Sequence, residues 1–305
     1  MLDAPTLALD IGGTKIAAGL VDAAGRLVYQ TRQATPHVDD PEQVWAAAER
    51  TIADAVASAG SVRGVGISSA GPVHLPDGTV SPINIPAWRN FPIRTRVAAA
   101  VPGVPVRLGG DGMCMALGEH RFGAGRGAAF LLGMVVSTGI GGGLVLDGAP
   151  YQGRTGNAGH VGHVVVDPDG SACACGGRGC VETIASGPHI VKWARQQGWA
   201  ASPAADAKVL AEAAALGDEV ALRAFRRAAT AVAAMIASVA AVCDLDLVVI
   251  GGGVAKSGPV LFDPLRSALR SYAGLDFIAG LRVVPAALGG DAGLLGAAAL
   301  LREQP

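Results

Sequence analysis

Charge is scarce in this chain. Asp, Glu, Lys and Arg make up 16% of the 305 residues, only four are lysines, and the formal net charge is −1. That balance implies no broad basic face for a nucleic-acid backbone. Cysteines number five, sparse and odd, which excludes a small disulfide-stapled scaffold. Disorder is excluded by the other side of the same composition: half of the residues are hydrophobic, and a disordered chain needs low hydrophobicity and high net charge. The chain opens without a basic start, apolar core and cleavage site, so no export signal is expected. No unbroken apolar run of about 20 residues is present either. The most apolar window, residues 128–146, is interrupted by Ser137, Thr138 and a glycine triplet at 141–143. No membrane span is expected, and cytoplasm is the expected compartment, where thiols stay reduced.

What is abundant is glycine. The 44 glycines are about twice the average share, and they cluster at tips rather than repeating. A length prior of about 150 residues per domain gives two domains or one bilobal one. Residues 6–10 and 15–21 read as strands joined by Gly12-Gly13-Thr14, and residues 27–32 as a third strand. Pro41 suits a helix start, followed by Val44, Trp45, Ala48, Ile52 and Val56 at helical spacing. Residues 62–67 and 104–108 read as strands ending at Ser68-Ser69 and Gly109-Gly110-Asp111, and 73–92 as a long loop. A helix is expected over 113–121.

Residues 128–136 and 143–146 form a second hairpin around Ser137-Thr138-Gly139-Ile140-Gly141-Gly142. Residues 151–182 are loop-rich and hold histidines and cysteines. Helices are expected at 184–197, 205–216, 218–241 and 291–302, with a strand at 245–250 closing on Gly251-Gly252-Gly253. Two glycine-tipped hairpins, each opening a strand-then-helix half, predict an internal duplication with a cleft between the halves, since ligands of open α/β sheets sit outside strand carboxyl ends. Cys114 and Cys243 read as core thiols, and His37, His74, His120 and His189 as surface residues. Arg223, Arg226 and Arg227 read as one solvated helix face, and residues 228–241 as a core helix or a subunit interface.

Three stretches together resemble the ROK family (repressors, open reading frames and sugar kinases). They are Leu9-Asp10-Ile11-Gly12-Gly13-Thr14-Lys15, Ser137-Thr138-Gly139-Ile140-Gly141-Gly142-Gly143, and Gly162-His163 followed by Cys173-Ala174-Cys175-Gly176-Gly177-Arg178-Gly179-Cys180-Val181-Glu182. The resemblance runs from residue 6 to about residue 302 and implies an α/β, two-lobed actin/hexokinase-type (ASKHA) fold with duplicated mixed-sheet halves. The expected small lobe spans residues 1–118, the large lobe 119–290, and residues 291–305 return to the small lobe.

The residues carry matching chemistry. His163, Cys173, Cys175 and Cys180 supply three thiolates and an imidazole, a four-coordinate set that fits structural zinc with no open position. Glycine tips let backbone N–H groups approach phosphate oxygens, Thr14 and Thr138 add hydroxyls and Lys15 adds charge. Neither tip is a Walker A loop. The resemblance implies that Gly12, Gly13, Thr14, Lys15, Thr138 and Gly139 hold ATP phosphates, that Gly252 and Gly253 lie near the adenosine, and that Asp10 positions Mg²⁺. By position alone Asp111 reads as a helix cap. The resemblance, with Ala116-Leu117-Gly118-Glu119 downstream, makes it the catalytic base for a sugar hydroxyl.

The implied sugar shell is Asn84, Asp111, His160, His163 and Glu182. Two positions depart from the family pattern: Gly110 stands where the family has Asn, and His160 where it often has Glu; the Ala-Gly-His-x-Gly-His run at 158–163 is similar to that of bacterial N-acetylmannosamine kinases. The expected activity is ATP-dependent phosphorylation of the 6-hydroxyl of an aldohexose, glucose first, with N-acetylmannosamine as the alternative acceptor. The expected partners are sugar and ATP, with no nucleic acid or membrane, and a homodimer or homotetramer is expected. A third reading, a sugar-responsive ROK regulator, would need a DNA-binding segment ahead of the first loop, where only nine residues precede Asp10.

Overall fold

The computed structural model describes residues 4–302; the expected C-terminal segment therefore lies partly outside the described residues, at 303–305. In chain order the strands are β1 Thr6–Ile11, β2 Lys15–Val21, β3 Leu27–Ala34, β4 Gly64–Ser69, β5 Val73–His74, β6 Thr79–Val80, β7 Val106–Gly110, β8 Leu131–Val136, β9 Ile140–Leu146, β10 Ala149–Tyr151, β11 Leu247–Gly251 and β12 Arg282–Pro285. The helices are α1 Pro41–Ala59, α2 Ile93–Ala100, α3 Asp111–Phe122, α4 Glu182–Ala185, α5 Gly187–Gln196, α6 Ala207–Ala215, α7 Glu219–Cys243, α8 Pro259–Tyr272 and α9 Ala292–Ala299.

Two five-stranded sheets have the orders β3-β2-β1-β4-β7 and β10-β9-β8-β11-β12. Position for position these are one topology used twice. In the first sheet, β1 is antiparallel to β2 and parallel to β4, and β4 is parallel to β7. In the second, β8, β11 and β12 run parallel, and β10 is antiparallel to β9. The duplication expected from the two glycine-tipped hairpins is present in the strand order.

The described residues divide into two compact units: one takes the residues up to Gly127, Gly143–Gly159 and those from Gly290 on, the other Ala128–Gly142 and His160–Gly289. The sequence boundary at 118/119 differs from this, because α3 runs on to Phe122 and Glu119 closes its end within the first unit. Glu119 is fully buried and its carboxylate accepts the Ala124 N–H at 2.9 Å.

In the first unit, α1 starts where Asp40 caps the Glu42 N–H at 2.9 Å, with Pro41 in the first turn where no amide is needed. Its buried stripe of Val44, Trp45, Ala48, Ile52 and Ala55 covers the sheet. Helix α9 packs against the same unit by backbone approach. A Cβ on Gly296 would stand 1.6 Å from the Cys114 carbonyl oxygen of α3, and one on Gly66 of β4 would stand 1.8 Å from the Ala297 oxygen. Only glycine allows these crossings.

In the second unit α7 is capped by Asp218 and buries an alanine-rich face. Among the described residues it is the one helix long and apolar enough to cross a membrane, and 56% of its apolar window is buried inside the protein.

The structure departs from the sequence reading in several places. The helix expected over 184–197 is broken between α4 and α5, since Pro188 cannot donate and the Gly187 N–H goes to the Ser137 carbonyl at 2.7 Å. The 73–92 loop contains the β5–β6 hairpin, and α2, α8 and β12 were not expected. His120 is buried, not exposed, because it faces inward from α3. His74 pairs with Asp77 at 3.0 Å, and the Arg227 guanidinium lies 5.6 Å over the Trp193 ring rather than standing wholly in solvent.

Candidate active site

In the first unit the carboxyl ends of β1, β4 and β7 lie side by side, with Asp10 in register with Ser68 and Ser69 with Gly110. Asp10 and Asp111 therefore emerge at the same end of the sheet. The Ser68 hydroxyl donates to Asp10 Oδ1 at 2.9 Å, and the Lys15 ammonium stands 3.8 Å from Oδ2. Burial raises Asp10 above the ordinary carboxylate value, against the lowering effect of Ser68 and Lys15.

The first glycine tip, loop 1, is closed by the Gly12 N–H on the Lys15 carbonyl at 3.0 Å. It is braced by the Thr35 hydroxyl, which donates to the Gly12 carbonyl at 2.6 Å. The amides of Gly13 and Thr14 have no acceptor among the described residues. That is the state of an anion-binding nest.

Asn84 lies directly on this tip: a Cβ on Gly13 would fall 2.6 Å from its carboxamide carbon. Its loop is anchored by Trp88, fully buried, stacked on Phe91 at 4.3 Å and donating its indole N–H to the Pro41 carbonyl at 3.2 Å. Asp111 is the first residue of α3, exposed, and its Oδ1 accepts the Gly112 N–H at 2.7 Å. The Gly110 position has space, with the nearest atom to an added Cβ being the Gly156 carbonyl oxygen at 3.9 Å.

The second unit carries the other glycine tip, loop 2. The Ser137 N–H donates to the Gly139 carbonyl at 2.9 Å, and Glu182 Oε2 accepts the Ile140 N–H at 2.7 Å. Thr138 and Gly139 keep amides without an acceptor among the described residues. Gly252 has φ +98°, and a Cβ there would strike the Val136 carbonyl at 2.4 Å, while Gly253 lies against Ser137. A pocket of about 360 Å³ opens beside this tip. Its wall includes Ser137, Thr138, Gly253 and the starts of α5 and α6 at Gly187-Pro188 and Asp206–Lys208. Thr138 and Gly253 are among the expected nucleotide residues, whereas the two helix starts are not among the expected site residues. The Pro188 and Asp206 start signals could have revealed them.

His163, Cys173, Cys175 and Cys180 come together with ligand atoms all within 4.8 Å of one another. Cys175 Sγ to Cys180 Sγ is 3.7 Å and Cys173 Sγ to His163 Nδ1 is 3.8 Å. For a Zn–S distance of about 2.3 Å a tetrahedron has an edge of about 3.8 Å, so the donor set fits zinc in type and spacing. Gly179, φ +69°, makes the fold-back possible, since a Cβ there would lie 1.7 Å from the Asp167 carbonyl. Burial pushes the Cys180 thiol up to about 12, and a hydrogen bond from the Gly177 backbone lowers Cys175. His160, exposed, precedes the short turn Val161–His163, with its ring 6.5 Å from that of His163.

Two copies of one mixed sheet, each with an amide-lined glycine tip at strand ends, define the actin/hexokinase-type class of phosphotransferase folds. The chain matches the ROK family over residues 6–304 and belongs to it. It is 36% identical to a glucokinase of Thermotoga maritima over 98% of this chain and 97% of that one. To an N-acetylmannosamine kinase of Yersinia pseudotuberculosis it is 36% identical, over 81% of this chain and 82% of that one. Among solved structures, a ROK hexokinase from Thermus thermophilus superposes with a TM-score of 0.86 at 37% identity, covering 97% of each chain. A ROK glucokinase from Streptomyces griseus in complex with glucose and AMPPNP gives 0.79 at 37% identity, covering 97% of this chain and 98% of that one.

Proposed function

We propose that this protein is an ATP-dependent hexose kinase that phosphorylates the 6-hydroxyl of glucose. The observation that carries the reading is the Asp111 carboxylate, held at the start of α3 and at the same strand ends as Asp10. In the reaction the sugar oxygen bonds to the γ-phosphorus, the bond to the bridging oxygen of ADP breaks, and the hydroxyl proton passes to Asp111. Asn84, His160, His163 and Glu182 complete the sugar shell in this reading. Lys15 and the free amides of Gly13, Thr14, Thr138 and Gly139 receive phosphate oxygens, with Gly12 shaping the first tip. The pocket beside loop 2, with Gly252 and Gly253, takes the adenosine.

Mg²⁺ neutralises phosphate charge when bound. Asp10, with Oδ1 engaged by Ser68 and Oδ2 turned toward Lys15, suits contact with it through water. Zinc, held by His163, Cys173, Cys175 and Cys180, is structural, as four ligands leave no position for water. Reduced thiols at that centre accord with a cytoplasmic location. Self-association to a dimer or tetramer belongs to the same reading and is checked by light scattering.

A second acceptor, N-acetylmannosamine, is favoured by His160 and by the Yersinia relative. A coupled ADP-release assay with Mg-ATP over glucose, mannose, N-acetylglucosamine and N-acetylmannosamine tests both. The expected result is the highest kcat/KM with glucose. Preference for N-acetylmannosamine selects the second reading, and turnover of none removes both.

A further inference from the structure

Glu182 makes a contact that sugar binding does not require. Its Oε2 accepts the Ile140 N–H at 2.7 Å, and a Cβ on Gly139 would come within 2.8 Å of the same oxygen. The carboxylate therefore grips the peptide just after the two free amides of loop 2. Glu182 is itself fastened to the Cys/His cluster. It follows Cys180 by two residues, and the Cys180 carbonyl accepts both the Thr183 N–H at 2.9 Å and the Thr183 hydroxyl at 2.7 Å, fixing the first turn of α4. The Val181 N–H reaches the Val164 carbonyl at 2.9 Å, next to His163. From the other side Gly162, the neighbour of His163, lies so close to loop 2 that a Cβ would stand 2.0 Å from the Ile140 oxygen. Ile140 is thus held at its N–H by Glu182, two residues after Cys180, and closely approached at its carbonyl by Gly162, the neighbour of His163.

We propose that Glu182 is a positioning residue for loop 2, and that the metal centre acts through it to set nucleotide affinity. The Cys₃His centre fixes Glu182. Glu182 orients the Gly139–Ile140 peptide, which aims the Thr138 and Gly139 amides. The identity of the ligand, a nucleoside triphosphate, rests on the kinase reading above; the clasp itself does not. Losing a hydrogen bond to a charged partner costs about 1.5–3 kcal/mol, roughly a 10- to 100-fold loss of affinity if the loop's orientation depends on it.

The test uses zinc-loaded full-length protein, with AMPPNP affinity measured calorimetrically without sugar and amide hydrogen exchange followed in residues 137–142. Glu182→Ala is expected to weaken AMPPNP by about tenfold or more and to speed exchange at Ile140. Glu182→Gln, whose carboxamide oxygen can accept the same N–H, is expected to restore most of the affinity. Gly139→Ala should weaken binding in the wild type, and much less in a Glu182→Ala background, because the atom it strikes is gone. Removing zinc with a chelator should weaken AMPPNP and speed exchange in the wild type, with little further change in Glu182→Ala.

Unchanged exchange and affinity in Glu182→Ala overturn the proposal, as does an equal chelation penalty with and without Glu182. Circular dichroism of each form separates these outcomes from unfolding. If the wild type binds no AMPPNP, the kinase reading fails and loop exchange alone decides the clasp.

Discussion

Loop 1, between β1 and β2, is fastened by its own neighbourhood in the chain. Gly12 bonds to Lys15, Thr35 at the end of β3 holds the Gly12 carbonyl, and the charge comes from Asp10 and Lys15 within the hairpin. Loop 2, at the same place in the second sheet, has no charged residue of its own. It borrows a carboxylate from Glu182, 42 residues on, and a backbone donor from Gly187. A duplicated sheet gives each tip two amides without an acceptor among the described residues, but the means of holding the tips have diverged. The first copy keeps a charged pair, Asp10 and Lys15, within its own hairpin. The second places its tip next to a pocket and ties it, through Glu182, to the segment that carries the Cys/His cluster.

The sharpest way to break this comparison is at Asp111, the proposed base. Asp111→Asn should lower kcat by about 10²–10⁴ while calorimetric glucose affinity stays within about threefold. Retained turnover would remove Asp111 from the reaction and leave the first copy without a proton acceptor.

Metal removal should act on the second unit alone. Zinc present at a thousandfold excess over its Kd stabilises by about 4 kcal/mol, so Cys175→Ser should lose the bound metal and lower that unit's unfolding midpoint by ~8–16 °C. Metal analysis and calorimetry check it, and an equal loss in the first unit would erase the contrast.

Gly296→Ala tests the first unit in turn, since its Cβ would meet the Cys114 carbonyl at 1.6 Å. Overpacking there should cost about 1–3 kcal/mol, read by denaturant unfolding, with zinc content unchanged. Thr35→Val removes the brace on loop 1 at about 1 kcal/mol, expected as a roughly fivefold rise in the nucleotide KM that does not depend on zinc.

The smallest effect is on stability against pH at Asp10. Its pKa is raised by burial in the folded protein. Protonated Asp10 therefore favours the fold, and that contribution fades as pH rises through the folded-state pKa. Asp10→Asn should melt higher than wild type at pH 8, and the gap should close toward pH 4.

Local chemistry explains which features could be read from the sequence. The cluster was legible because thiolate and imidazole spacing within eighteen residues carries its own geometry. The tips were legible because glycine after a strand has few other uses. The repeated sheet order followed from two such tips. Contacts set by distant segments were not legible: the seat of Asn84 on Gly13, the grip of Glu182 on Ile140 and the burial of His120 against the rest of its unit. The break before α5 was missed although Pro188 signalled it, because the apolar spacing of residues 184–197 continues across it. Helix α8 and strand β12 lie in the stretch between the glycine triplet and residue 291, for which no element was expected.

The backbone crossings of α9 carry a consequence for biosynthesis. The β1–β4 face of the first sheet is completed by residues 292–299, so translation must first traverse everything through Gly289. The unit whose chain is started earliest is therefore finished last, against the usual order in which amino-terminal domains fold first on the ribosome. Until then Gly66 and Gly118 lack the helix whose backbone crosses them.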